Sequence, residues 1–145
     1  MKKFVALAAV VAVTALTLTA VSIASTRSMG VSARLTAGAE VPKQVVKEPM
    51  ALGQFIGTLR GNKLSWKLTF SHLTGKATAA HIHFGRVGKA GNVAAALCGP
   101  CMSGVRGTAT LSARQLKNLS NHLLYVNIHT AKNPDGEIRG QLSEK

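Results

Sequence analysis

Three histidines lie in two stretches of the chain whose side chains alternate as in β-strands. His81 and His83 flank Ile82, and because alternate side chains of a strand point the same way, the two imidazoles project together. His129 is the last residue of a second such stretch, and it lies on the opposite face of that strand from the apolar residues. Three neutral imidazoles suit copper or zinc and leave one coordination position open. If the two strands are neighbours, the sequence predicts a metal site outside the core. The alternative is three ordinary histidines that are solvated or hydrogen-bonded.

The apolar residues of the two strands indicate which side faces the core. The first has Ile82 and Phe84 on that side, so its histidines face outward. The outer face of the second strand is expected to carry Tyr125, Asn127 and His129. Two further histidines are not candidates, because His122 has core parity and His72 lies in a turn.

The segment Cys98-Gly99-Pro100-Cys101 has the form of the thioredoxin redox tetrapeptide. That chemistry needs the first cysteine at a helix N-terminus, where the dipole lowers the pKa of the thiol. The following Met102-Ser103-Gly104 does not begin a helix, and a structural zinc site would need a second cysteine pair. We expect a local disulfide between Cys98 and Cys101, with metal involvement and redox catalysis as alternatives.

Other chemistry has little support in the sequence. There is no Gly-x-Ser-x-Gly motif, and the single aspartate, Asp135, falls in a predicted turn. The spacing Gly85-x-x-Gly88-x-x-Gly91 could cradle an anion, but a flexible loop is the simpler interpretation because no strand–loop–helix setting accompanies it. Glu137 and Arg139 are expected to alternate outward on the last strand, as a minor surface pair. The sequence therefore favours a binding module over an enzyme.

The chain is strongly basic, with 18 Lys and Arg residues against 5 acidic residues and a formal net charge of +13. The cations are scattered, and aromatic residues do not interleave with them as a stacking platform for nucleic acid requires. Attraction to anionic cell-surface polymers or lipid head groups is the general expectation, and specific nucleic-acid binding is not expected. A structural or adhesive module that binds protein or polyanion without a metal is the alternative function.

The first 24 residues predict a signal peptide. Met1-Lys2-Lys3 is a positive n-region, residues 4–20 are largely apolar, and Ser22-Ile23-Ala24 offers small residues for cleavage after Ala24. The apolar run is longer than usual, so an uncleaved N-terminal anchor stays open. Either form predicts a periplasmic, cell-surface or secreted domain, where disulfides persist.

Beyond a linker at 25–30, residues 31–145 have the pattern of one β domain. Leu64, Trp66, Leu68 and Phe70 recur at period two, the clearest strand of the chain. Ser112 with Gln115 forms a capping-box pattern, which predicts a helix over 113–119. The expected fold is all-β, a Greek-key β-sandwich or barrel of seven or eight short antiparallel strands with one short helix. The expected strands are 31–35, 51–59, 64–70, 77–84, 93–97, 107–111, 123–129 and 137–142, with 44–47 an irregular or edge segment.

Several motifs resemble the CHRD domain in the order of that family. They are 35–42 (LTAGAEVP), 78–83 (TAAHIH), 124–130 (LYVNIHT) and 136–142 (GEIRGQL). The resemblance covers about Val31 to Leu142 and implies a secreted all-β domain whose molecular function the family leaves poorly defined.

A second pattern is similar to the copper ligands of the copper/zinc superoxide dismutase fold. There a His-x-His strand and a later strand histidine bind copper on a Greek-key barrel, which by likeness makes His81, His83 and His129 copper ligands. No His or Asp occurs from Gly85 to Leu111, so the bridging histidine and the zinc site have no counterpart. The resemblance therefore implies one mononuclear copper site without a zinc site, and these departures argue against dismutase activity.

Overall fold

The computed structural model describes residues 27–43 and 50–145. The predicted signal peptide or anchor at 1–24 and the predicted edge segment at 44–47 lie outside these ranges. Within them, no helix is long and apolar enough to cross a membrane.

The described residues form one antiparallel sheet of nine strands that curls into a nearly closed barrel. The sheet order is β5-β4-β7-β8-β1-β2-β3-β6, and β9 pairs with β1. The chain crosses the barrel between β3 and β4 and again between β6 and β7, as expected for a Greek-key barrel. The strands are β1 (Ser28–Thr36), β2 (Leu52–Arg60), β3 (Lys63–Ser71), β4 (Ala77–Phe84), β5 (Val93–Cys98), β6 (Val105–Thr110), β7 (Leu124–Thr130), β8 (Ile138–Gln141) and β9 (Ser143–Glu144). One α-helix, α1 (Ala113–Ser120), precedes β7, and a short 3-10 helix (Ala37–Ala39) follows β1.

The barrel interior is an apolar core built from alternate residues of the strands. Buried and exposed positions alternate strictly along β2, as the geometry of a strand requires. Phe55 and Trp66 stack inside the barrel with their ring centroids 6.1 Å apart. Other fully buried core residues are Leu35, Leu64, Leu68, Ile82, Leu124, Ile128 and Ile138. Each contributes about 1.5–3 kcal/mol by leaving water, so the core holds the strands that carry the polar outer faces.

Two predicted boundaries at the ends of the domain were wrong. β1 begins at Ser28, so Ser28–Gly30 belong to the sheet and not to a linker at 25–30. These residues pair with Thr58–Arg60 of β2, and the Lys145 amide donates to the Gly30 carbonyl at 2.8 Å. Residues 28–30 of β1 are in the sheet because their backbone pairs with β2. Their side chains do not alternate between apolar and polar, so the sequence contains no sign of a strand there. The expected last strand divides into β8 and the two-residue β9, which raises the strand count to nine.

The capping box at α1 is confirmed. The Gln115 amide donates to Ser112 Oγ at 3.3 Å, and the Ser112 amide donates to Gln115 Oε1 at 2.6 Å. Gln115 Nε2 also donates to the carbonyl of Ala94 in β5 at 2.6 Å. One glutamine thus starts the helix and fastens it to the barrel, with Leu119 buried beneath.

The expectation that Glu137 faces solvent was wrong, because the β7–β8 turn folds back over the barrel end and buries the carboxylate completely. It accepts hydrogen bonds from the Thr74 amide at 2.6 Å and from Thr74 Oγ1 at 2.7 Å. Thr130 Oγ1 donates to it at 2.6 Å and Asn133 Nδ2 at 3.0 Å. These four hydrogen bonds replace the ones that water would make to an exposed carboxylate. They also join the β3–β4 connection to the turn that follows β7.

We predict that Glu137→Gln lowers the free energy of unfolding by about 3 kcal/mol at neutral pH. The NH₂ group of the glutamine side chain would face groups that are themselves hydrogen-bond donors. Burial alone would raise the pKa of Glu137, but its hydrogen bonds from Thr130, Thr74 and Asn133 together lower it. A depressed pKa stabilises the fold above the pKa of the unfolded chain, and this contribution is lost as the pH falls through the folded value. Urea unfolding between pH 3 and 7 measures both effects.

The matched control is Glu144→Gln in β9, which is expected to change stability little. Equal stability of wild type and Glu137→Gln, or the same acid dependence in both, would contradict the role assigned to this carboxylate.

Candidate metal centre

β4 and β7 are neighbouring antiparallel strands, which is the condition on which the metal prediction depended. Their register sets His129 opposite Ala79, and His83 opposite Tyr125. His81 is therefore the diagonal neighbour of His129 on the same face, within reach of a long side chain. The pairing brings together all three histidines that the sequence singled out.

The three imidazoles form a compact cluster. His81 Nδ1 lies 3.2 Å from His129 Nε2. The ring centroids are 5.5 Å apart for His81 and His83, 5.0 Å for His81 and His129, and 5.7 Å for His83 and His129. One ligand atom from each lies within 4.8 Å of the other two. Metal–nitrogen bonds near 2.0 Å in a tetrahedral site set ligand nitrogens about 3.3 Å apart, so one edge has this spacing already and the others need small side-chain rotations.

Backbone carbonyls determine which ring nitrogen of His83 and of His129 keeps its lone pair. His83 Nδ1 lies 3.0 Å from the Gly91 carbonyl, and His129 Nδ1 lies 2.9 Å from the Pro134 carbonyl. A carbonyl oxygen only accepts, so each Nδ1 carries the hydrogen and each Nε2 keeps its lone pair. His83 Nε2 is buried and has no hydrogen-bond partner within residues 27–43 and 50–145. Such an orphaned acceptor calls for a missing ligand or water.

The outer face of β4 and β7 is covered, whereas we expected it to face solvent. Tyr125 and Asn127 are each 3% exposed and His129 is 9% exposed, although all three point away from the core. The cover consists of the β4–β5 loop (85–92) and the β7–β8 turn. Sequence parity identified the face correctly, but the alternation of a strand carries no information about loops that fold over it.

The β4–β5 loop packs against the site as a cover and does not form the anion cradle considered from its glycine spacing. It turns the carbonyls of Arg86 and Lys89 toward Arg139 Nη2, which donates to them at 3.0 and 2.9 Å. The Gly91 amide donates to the Tyr125 hydroxyl at 3.2 Å. A Cβ on Gly91 would collide with the Phe84 carbonyl, so only glycine permits this close approach.

Sequence reasoning missed that two side chains, Tyr125 and Arg139, stack behind the His83 ring. The Arg139 guanidinium lies 3.4 Å from the centroid of the Tyr125 ring, and that ring stacks on His83 at 5.0 Å and 11°. Arg139 was expected at the surface but is 2% exposed, because the covering loop closes over it. Its register opposite Asn127 places it on the histidine face, which strand parity without the pairing of β7 and β8 does not reveal. The stack restricts the orientation of the His83 ring.

The electrostatic environment keeps the imidazoles neutral. Burial lowers the pKa of His81, His83 and His129 below the ordinary value, and the neighbouring histidines reinforce the shift at His83 and His129. Neutral imidazole is the form that binds a metal ion.

A buried acidic group lies near the stack. Burial raises the pKa of Glu40 to about 7, while the Arg139 charge and a hydrogen bond from Asn127 oppose the shift. Glu40 Oε1, Asn127 Oδ1 and Arg139 Nη1 are all buried without a hydrogen-bond partner among the described residues. These polar groups therefore lie under the cover of the site and not at the surface.

The expected disulfide joins Cys98 to Cys101. It follows β5, and the Cys101 amide donates to the Ala77 carbonyl at the start of β4 at 3.0 Å. The helix that a thioredoxin-like redox site requires is not there, since α1 begins only at Ala113. His72 and His122 lie outside the histidine cluster, as expected. His122 is exposed although its parity pointed to the core, because β7 begins only at Leu124.

Residues 31–142, more than half of the chain, match the family model of the CHRD domain. The chain belongs to the CHRD domain family. The resemblance carried by the four sequence motifs is thereby confirmed, and a CHRD domain suggests a binding module. The chain matches no curated protein and no solved structure. The likeness to the copper ligands of the superoxide dismutase fold stays a prediction.

We predict that His83 and His129 of the metal-free protein are Nδ1–H tautomers at pH 7.5, because each Nδ1 faces a carbonyl. Long-range ¹H–¹⁵N correlation spectra of the imidazoles measure this directly, and the same spectra followed to acid pH should show both rings titrating below 6.5. An Nε2–H tautomer at either ring would show that its Nε2 is not the free ligand atom.

Proposed function

We propose that this CHRD domain is an exported, non-catalytic module that holds one copper ion through His81 Nδ1, His83 Nε2 and His129 Nε2. The observation that carries the proposal is the buried His83 Nε2, which has no partner in the part of the chain that the structure describes, while its Nδ1 is fixed on the Gly91 carbonyl. His129 Nε2 keeps its lone pair because His129 Nδ1 faces the Pro134 carbonyl, and in the metal-free protein it accepts from His81 Nδ1–H at 3.2 Å. A bound ion would take the place of that hydrogen, with His81 in its Nε2–H form. The role is sequestration or handling of the metal.

The donor set favours copper. It consists of three neutral imidazoles, without thiolate, since both cysteines are in the disulfide. For such nitrogen ligands the affinity of Cu²⁺ exceeds that of the other divalent first-row ions. A bound copper ion would supply a Lewis-acidic, one-electron redox centre with an open coordination position. His81 is half-buried, so the open position has access to solvent.

The surroundings support a preformed site. Both Nδ1–H groups are held by carbonyls, the arrangement that orients metal-binding histidines in proteins. The Arg139 charge would repel a cation, but the Tyr125 ring lies between Arg139 and His83, and two carbonyls and the ring face stabilise the guanidinium where it is. Binding then requires small side-chain rotations and the shift of the His81 hydrogen from Nδ1 to Nε2.

Export rests on two features. The first 24 residues have the signal-peptide pattern described above, and the Cys98–Cys101 disulfide is the cysteine form that persists in oxidising compartments. A metal-handling domain would then work in the periplasm, at the cell surface or after secretion.

We predict that purified mature protein binds one equivalent of Cu²⁺, and that His81→Asn and His129→Asn each weaken binding by at least about 100-fold, more than the loss of an outer-shell partner costs. Competitive titration against a chelator of known affinity measures this. Electron paramagnetic resonance of the loaded wild type should show coupling to nitrogen ligands.

His72→Asn and His122→Asn are matched controls. Both histidines are exposed and have positive φ angles of 57° and 55°, which asparagine adopts readily. These variants should keep wild-type affinity. Wild-type binding no tighter than that of His81→Asn, or equal losses in the controls, would contradict the copper site.

A further inference from the structure

The half of the barrel remote from the histidines presents a basic outer surface. We define the basic sheet face as the outward-pointing residues of β1, β2, β3 and β6. Strand alternation places no acidic residue on it within the described part of the chain. Its five cations are Arg34, Arg60, Lys63, Lys67 and Arg106.

Four of these cations form two like-charged pairs across neighbouring strands. Arg60 lies directly opposite Lys63, and Lys67 lies directly opposite Arg106. Like charges in directly opposed positions of a sheet are destabilising. None of the four has an ion pair within 27–43 and 50–145. The two pairs therefore concentrate positive charge at two places on the face, where an anionic ligand would relieve the repulsion.

The two pairs are separated along β3 by four residues, a distance of about 14 Å at strand rise. A row of hydroxyls lies between them, formed by Thr58, Ser65 and Thr108 in register across three strands. Shallow depressions of about 240 and 370 Å³ flank this row. The face thus offers paired charges at two places and hydroxyl donors between them.

We infer that the basic sheet face binds a linear polymer that carries phosphate groups along its length. Each cation pair can hold one phosphate, and the hydroxyls can donate to the segment between. A single phosphate group cannot reach both pairs across about 14 Å, whereas an extended polymer engages them together and gains from multivalency. This site goes beyond the proposed copper function and does not depend on it.

Two other anionic partners fit the face less well. Nucleic acid binding without sequence preference uses exposed aromatic side chains for base stacking, and Trp66, the aromatic residue nearest the pairs in register, is 6% exposed on the core side. Insertion into a membrane needs a substantial apolar surface, and the face exposes Ile56 and Leu52 as its only large apolar side chains.

The test is the binding of inorganic polyphosphate to the mature protein as a function of salt, for wild type and for Lys67→Gln/Arg106→Gln. The double variant is expected to bind about tenfold or more weakly at 50 mM salt, and the slope of log affinity against log salt should fall by about 1.4, which is 0.7 for each lost contact. Because the variant removes a like-charged pair, it should fold and melt no lower than wild type.

The matched control is Lys117→Gln/Lys132→Gln, which removes the same charge from exposed positions on α1 and the β7–β8 turn. This control should bind polyphosphate within about twofold of wild type, as diffuse rim charges contribute little. His129→Ala should also bind normally, which separates this site from the copper site. Equal losses in the two double variants would overturn the proposal, since net charge alone would explain them.

Two comparisons identify the occupant. Phosphatidylglycerol vesicles and single-stranded DNA of the same phosphate content should bind more weakly than polyphosphate. Tighter binding to the vesicles would assign the face to a lipid surface and tighter binding to the DNA would assign it to nucleic acid, and either result would overturn the proposal.

Discussion

The antiparallel pairing of β4 with β7 is the interaction on which the candidate metal centre depends. Its register places His81 diagonal to His129 and His83 opposite Tyr125, so a slip of β4 by one residue would turn both of its imidazoles into the core. The apolar alternation of both strands prevents that shift, because Ile82 and Ile128 would then face outward. The core therefore specifies the geometry of a site that contains no core residue.

Polar side chains on the outer face are held by loops that turn their carbonyls inward. The β4–β5 loop accepts from Arg139 and from Gln141, and the β7–β8 turn accepts from His129. Glu137 ties that turn to the β3–β4 connection. Carbonyls thus hold His83 and His129 in place in the metal-free protein, which limits the side-chain freedom that would be lost if an ion bound there.

Much of the fold and the three candidate ligands could be predicted from the sequence, because both depend on local periodicity. Strand alternation located β3 and β4, and the Ser112–Gln115 pair located α1. Parity placed the histidines on one side, but adjacency of β4 and β7 is a long-range pairing that periodicity leaves open. The burial of Arg139 and Glu137 depends on loops closing over a sheet face, and no alternation pattern signals this. The extension of β1 to Ser28 depends on backbone pairing alone.

A crystal structure of the copper-loaded protein, with an anomalous difference map at the copper edge, tests the central claim most directly. The account predicts a single strong peak about 2.0–2.1 Å from His81 Nδ1, His83 Nε2 and His129 Nε2, the bond length for imidazole. Each Nδ1–H of His83 and His129 should still donate to its carbonyl. A peak at His72, His122 or the chain terminus, with the three clustered imidazoles left without metal, would contradict it.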